Sequence, residues 1–275
     1  MHFSSHQPPA ALAYWVKSIW CARGTRQEFA APEPIVPDGC VEIIFNLADP
    51  FSDARGLQPL DLIAGQMTGP VTAVATGDVD LIGVRFWPGR GGAALRTPMW
   101  ELRDQLIAAS NVISGTGELA SVLRDLPADR RLERLSTALG RQLGARERPD
   151  TSVVDHALAL IASHRGNIAI DVVARAVGIT PRHLERKFRN EVGLGAKQIA
   201  RITRIEHVLQ LMAAEAALSG AEIAARCGYS DQAHLIRECK SLTGRTCARL
   251  ETSSASLSRL MRQDGVHRQS PATRF

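Results

Sequence analysis

The sequence predicts an α+β protein: a β-rich N-terminal domain with trailing helices, then an all-α C-terminal domain with two helix-turn-helix motifs joined by a long helix. Three observations predict it. Apolar residues alternate with period two up to about residue 92, and helical periodicity takes over after Thr97-Pro98. One phrase then occurs twice, as RAVGITPRHLERKFR from Arg175 to Arg189 and as RCGYSDQAHLIRECK from Arg226 to Lys240.

In the front half, Pro37-Asp38-Gly39 is a turn signal before the strand CVEIIFNL. There Val41, Ile43, Phe45 and Leu47 alternate with Cys40, Glu42, Ile44 and Asn46. VTAVAT and LIGVRFW read as further strands around the turn Gly77-Asp78. Thr97 is placed to cap a helix with Pro98 in its first turn. A helix over roughly 129–143 carries Leu132, Leu135, Leu139 and Leu143 on one face, a stripe expected to pack within the chain rather than against a second subunit. Residues 144–152, GARERPDTS, have linker composition, so the expected domains are 1–146 and 153–252, followed by a disordered tail over 253–275.

Composition narrows the class. With 275 residues, 45% hydrophobic and 22% charged, the chain can bury two cores. No basic segment leading into an apolar run opens it, and no apolar stretch reaches the 18 or so residues of a membrane span, so a cytoplasmic location is expected. The five cysteines (Cys21, Cys40, Cys227, Cys239, Cys247) show no CxxC spacing and read as buried free thiols. Residues 1–148 hold 15 Lys/Arg against 16 Asp/Glu, whereas 168–250 hold 13 against 8, so positive charge concentrates where the phrase repeats.

Each copy builds a helix-turn-helix. In the first, a helix from about Asp171 to Val177 ends at Gly178, which reverses the chain cheaply; Thr180 caps the next helix and Pro181 opens it. Leu184, Phe188 and Val192 form its inward stripe, and Arg182, Glu185, Arg186 and Arg189 its outward one. Arginine can bond guanine O6 and N7 bidentately, and a carboxylate can accept from cytosine N4. In the second, a helix from about Ala221 to Cys227 ends at Gly228 and Ser230 caps a helix with Leu235, Cys239 and Leu242 inward. Its outward residues are Gln232, Ala233, Ile236, Arg237 and Lys240, where Ile236 either meets a thymine methyl or buries itself. Between the motifs GLGAKQIARITRIEHVLQLM reads as one long helix with Ile199, Ile202, Ile205, Leu209 and Met212 toward the core and Arg201 and Arg204 outside. A rigid bridge of about 24 Å could set two recognition helices near the roughly 34 Å repeat of successive major grooves.

The double motif, above all IAARCGYSDQAHLIRECK, resembles the DNA-binding domain of the AraC/XylS-type transcription regulators over about a third of the chain. GVRFWPGRGG in a β-rich front half is similar to a poorly characterised sensor domain found ahead of that module. The resemblance implies base contacts by Arg182, Glu185 and Arg186 in the first motif and by Gln232, Ala233, Ile236 and Arg237 in the second. It also implies double-stranded DNA read in two adjacent major grooves, a small-molecule effector, a homodimer and RNA polymerase as partners, with no cofactor. The chain departs from the pattern at Cys239, where an aromatic is usual, and in TGRTCARL, where the closing Gly-x-Ser-Pro-like segment lacks its proline.

Rival readings fare worse on residues. WPGRGGAAL lacks the Gly-Lys-[Ser/Thr] of a phosphate loop and the full GxGxxG, and no GxSxG occurs. No histidine lies between His6 and His156, against a metal site of the cupin kind. A nucleophilic Cys21 or Cys40 would have to borrow a histidine from another domain. A DNA-binding protein whose front half only dimerises stays open. Trp20, Glu42, Arg85 and Trp87, large or charged residues on expected strands, are the candidate lining of an effector cavity.

Overall fold

The computed structural model describes residues 1–29, 34–144, 146–215 and 217–248. The tail expected to be disordered, 253–275, lies outside the described residues. In chain order the strands are β1 (His2–His6), β2 (Val16–Gly24), β3 (Pro34–Ile35), β4 (Glu42–Asn46), β5 (Phe51–Asp53), β6 (Gly56–Leu57), β7 (Asp61–Ala64), β8 (Val71–Thr72), β9 (Val74–Ala75), β10 (Val79–Phe86) and β11 (Leu106–Ala108). The α-helices are α1 (Gly91–Leu95), α2 (Met99–Leu102), α3 (Thr116–Asp125), α4 (Ala128–Gly144), α5 (Ser152–Ser163), α6 (Ile170–Ala176), α7 (Pro181–Glu191), α8 (Ala196–Ala214), α9 (Gly220–Arg226) and α10 (Gln232–Thr243).

Six strands form one antiparallel sheet in the order β1-β2-β10-β4-β7-β11. Alternation sorts its side chains as period two demands. Val41, Ile43, Phe45 and Leu47 join Ile82, Val84 and Phe86 in one core, together with α3 and the Leu135, Leu139 and Leu143 stripe of α4. Leu135 is wholly buried and its two neighbours nearly so. At about 2 kcal/mol each, these leucines seal the sheet from within the chain and leave no apolar seam on this face of α4 for a second subunit. The opposite face of the sheet carries Trp20, Ala22, Val79 and Leu81.

Two local readings give way. VTAVAT divides into β8 and β9, which pair with β3 and β5 in two separate small sheets, so the segment bends rather than runs as one strand. Thr97 caps nothing: its hydroxyl donates to the Leu95 carbonyl and Pro98 itself precedes α2.

A further core gathers α5 to α10 around α8, and Val36 from the front half enters it. The two halves are joined tightly. Arg90, 3% exposed, donates from Nη1 to Thr151 Oγ1 and from Nη2 to Asp155 Oδ2 at 2.7 Å. Two guanidinium groups approach the Tyr14 ring, Arg90 at 4.5 Å and Arg148 at 4.8 Å, and Tyr14 donates to the Pro149 carbonyl at 3.1 Å. Helices α1 and α2 pack on α7. Among the described residues no helix is long and apolar enough to cross a membrane.

Candidate nucleic-acid interface

The first motif is α6, a turn and α7. Gly178 holds φ +74°, the left-handed conformation that lets α6 end and the chain reverse over the four residues 177–180. Thr180 accepts a hydrogen bond from the His183 amide at 3.2 Å and Pro181 takes the first helical position. Leu184 and Phe188 are fully buried, which fixes the rotation of α7 and leaves Arg182, Glu185, Arg186 and Arg189 exposed. Among the described residues Arg182, Arg186 and Arg189 form no ion pair, whereas Lys187 on the same helix pairs with Glu191 at 2.8 Å. Glu185 is set apart from the arginines, because its carboxylate lies against Gly195 at the start of α8, where a Cβ would come within 2.6 Å of Oε1.

The second motif is α9, a turn at Gly228 with φ +72°, and α10. Ser219 and Glu222 form a capping box on α9. The cap of α10 is Asp231 rather than Ser230: its carboxylate accepts from the His234 amide at 2.7 Å, and Ser230 donates to that carboxylate instead. Gln232, Ala233, Arg237 and Lys240 are exposed and Ile236 is half-buried. The Gln232 amide rests over Gly220, where a Cβ would lie 2.4 Å from Nε2.

The joining helix α8 has 19 residues, somewhat longer than the sequence suggests, and extends about 28 Å. Ile199, Ile202, Ile205 and Leu209 are buried as expected, but Arg201 and Arg204 are half-buried rather than fully outside. They turn to Glu238 on α10, which accepts from Arg204 Nη2 at 2.8 Å, Tyr229 Oη at 3.0 Å and Arg201 Nε at 3.1 Å. Arg204 also lies 4.4 Å from the Tyr229 ring centroid. Burial alone would raise the Glu238 carboxyl, yet the hydrogen bond and charge of Arg204, followed by Tyr229 and Arg201, hold it below the usual carboxylate range. Burial and then the Glu238 charge push the Tyr229 phenol up. Sequence reasoning missed this network; the signal was a glutamate on the inward side of α10, flanked by Leu235, Cys239 and Leu242.

The cysteine reading also needs correction. Cys239 and Cys247 are joined as a disulfide with Cα atoms 6.1 Å apart, because Gly244 at φ +73° ends α10 and returns the chain beside its own helix. Cys21, Cys40 and Cys227 remain free. Burial pushes the Cys21 and Cys40 thiols up, the opposite of what a nucleophile needs.

The candidate effector residues meet in part. Trp20 Nε1 donates to Glu42 Oε2 at 3.1 Å, Arg85 Nε donates to Glu42 Oε1, and Arg85 Nη1 reaches Asp38 at 3.4 Å. The Trp20 indole covers Gly83 so closely that a Cβ there would sit 2.0 Å from it. These three residues therefore form a buried cluster in which the Trp20 and Arg85 donors meet on Glu42. Trp87 is separate, donating to the Ala13 carbonyl with Lys17 Nζ 5.9 Å from its ring. Two open clefts lie elsewhere, one of about 510 Å³ by Trp100, Pro149 and Glu191 and one of about 520 Å³ by Glu101, Gln142 and Arg146, and both border Arg96. Among the described residues no group of three or more His, Cys, Asp or Glu is placed to hold a metal.

A β-rich half thus precedes paired helix-turn-helix motifs joined by a long helix. Residues 173–253 match a helix-turn-helix domain and residues 4–108 match a domain of unknown function, DUF6597. The HTH-type transcriptional regulator GlxA of Rhizobium meliloti (strain 1021) is 37% identical over 84 residues, 30% of this chain. The chain spans about a quarter, 26%, of that relative's length. ToxT from Vibrio cholerae superimposes with a TM-score of 0.46 at 9% identity over 91% of this chain and 98% of its own. ToxT from strain SCE256 of Vibrio cholerae with bound unsaturated fatty acid gives 0.44 at 13% over 92% and 97%. Likeness that loose carries no functional argument. What the comparisons show is a helix-turn-helix domain over 173–253, similar there to an HTH-type transcriptional regulator.

Proposed function

We propose that the protein is a sequence-specific transcription regulator that reads double-stranded DNA in two adjacent major grooves, with 153–252 as the DNA-binding domain and 1–146 as a sensor or self-association domain. The observation that carries this reading is the exposed trio Arg182, Arg186 and Arg189, without an ion pair among the described residues, on a capped α7 packed through Leu184 and Phe188. Arg186 and Arg182 read base edges, Arg189 contacts phosphate, and Glu185 supports α8 at least as much as it meets a base. On α10, Gln232, Ala233, Ile236 and Arg237 face bases and Lys240 a phosphate. Control by a small-molecule effector gains support from the packing of α1 and α2 on α7, since a ligand that shifted either helix would act directly on the first reader. A homodimer and RNA polymerase are the further expected partners.

The test is a binding titration of the full chain on pooled genomic fragments at several salt concentrations with non-specific competitor. Fragments that survive competitor support the reading. Binding that vanishes equally for all fragments as salt rises shows only the electrostatic term and rejects it.

A further inference from the structure

The disulfide between Cys239 and Cys247 has no task in the reading above. Cys239 is 0% exposed on the inward face of α10, away from the exposed Gln232, Arg237 and Lys240. Cys247, at 7%, is the more accessible of the two. The bond closes a short ring from the last turns of α10 through Gly244 to the segment beyond. Thr243 pins the same corner, donating to the Cys239 carbonyl at 2.8 Å and accepting from the Arg245 amide at 3.2 Å. The clasp therefore acts on how α10 is held and not on what it touches. A protein that works on DNA sits where thiol buffers keep cysteines reduced, and a disulfide there is characteristically transient.

We propose that Cys239 and Cys247 form a reversible thiol–disulfide site, with a peroxide as oxidant and a glutathione-type thiol as reductant, whose state sets how firmly the second recognition helix is held. In oxidation, the Cys247 thiolate attacks a peroxide oxygen, an S–O bond forms, the O–O bond breaks and the first water leaves after protonation. The Cys239 thiolate then attacks the sulfenic sulfur, S–S forms, S–O breaks and the second water leaves. Two thiols and one hydrogen peroxide give one disulfide and two waters. In the reverse direction two reductant thiols are oxidised to their own disulfide. Both the reversibility and its consequence for DNA rest on the proposed function, whereas the peptide map below reads the bond itself.

The test uses the full chain, treated with hydrogen peroxide or with glutathione buffers, alkylated, digested and weighed. All five thiols should alkylate in the reduced protein and three in the oxidised protein, with the peptides of Cys239 and Cys247 linked. On a genomic fragment selected by the oxidised protein, the reduced protein should bind about threefold or more weakly, with the loss confined to one half of the protected site. Cys247→Ser should remove that response and Cys21→Ser should keep it. The proposal is overturned if no linked peptide forms, if the link resists glutathione, or if affinity is the same in both states. Failure to select any fragment would reject the DNA reading, while the peptide map still decides the thiol site. Because the peptide map and the two-state affinity are read on the unmodified chain, a misfolded Cys247→Ser protein does not remove the test.

Discussion

Replacing Glu238 by alanine should loosen the second recognition helix. The carboxylate is 8% exposed and bridges α8 to α10 through Arg201, Arg204 and Tyr229. Truncation leaves two guanidinium groups and a phenol facing an empty place. Removing one partner of a buried ion pair costs about 3–5 kcal/mol. The Arg201 side chain is 33% exposed and Arg204 17%, so both regain some water and the lower end, about 3 kcal/mol, applies. For a helical unit of about 100 residues that lowers Tm by on the order of 10 °C or more. All the tryptophans (Trp15, Trp20, Trp87, Trp100) lie in the front half, so their fluorescence follows that half while far-UV circular dichroism follows the helices. Thermal scans of wild type and Glu238→Ala should show the helical transition moving and the fluorescence transition moving less. The carboxyl lies below its reference value of 4.5, so its contribution is complete above that pH and is lost as pH falls through the lower folded value. Acid should then narrow the gap between the two proteins. A loss under about 0.5 kcal/mol at neutral pH would show that the network behaves as an exposed surface pair and refute the reasoning.

Other substitutions probe the remaining parts. Arg186→Ala should cost roughly 1–3 kcal/mol on the selected operator and relax preference at one base pair; competition on variant sites measures it, and an equal loss on every sequence would make Arg186 a phosphate contact. Arg90→Ala removes the donor of Thr151 and Asp155 and strips one face of Tyr14, so limited proteolysis should cut residues 146–151 at least several-fold faster, and an unchanged rate would show that this latch does not hold the linker. Gly166→Ala, at φ +74°, would put a methyl 2.1 Å from the Ala200 carbonyl of α8 and should destabilise the helical half by more than about 1 kcal/mol in urea unfolding, where a neutral result would mean that the α5 to α6 corner is free to shift.

Legibility followed periodicity and local capping. The alternation in CVEIIFNL, the leucine stripe of α4 and the Gly178 and Gly228 turns were readable because each depends on residues a few positions apart. What joins distant segments was not. Arg90 reads as one more residue in a Gly-rich turn, and only the fold sets it against Asp155, 65 residues on. Arg201 and Arg204 have the spacing of a solvated face, and a single inward carboxylate on α10 reverses them. The disulfide was visible only as two departures from a pattern, Cys239 in place of an aromatic and Cys247 in a segment without its proline. Trp20, Glu42 and Arg85 stand out in the sequence as large or charged strand residues, but that they bond to one another depends on strand pairing over 22 and 43 residues of chain.

Hydroxyl-radical footprinting of the full chain on a selected fragment tests the double reader most directly. Two protected patches centred about one helical turn apart, roughly 10 base pairs, are expected, with Arg186→Ala weakening only one of them. A single patch, or protection that moves with salt and ignores sequence, would contradict the claim that α7 and α10 read neighbouring grooves.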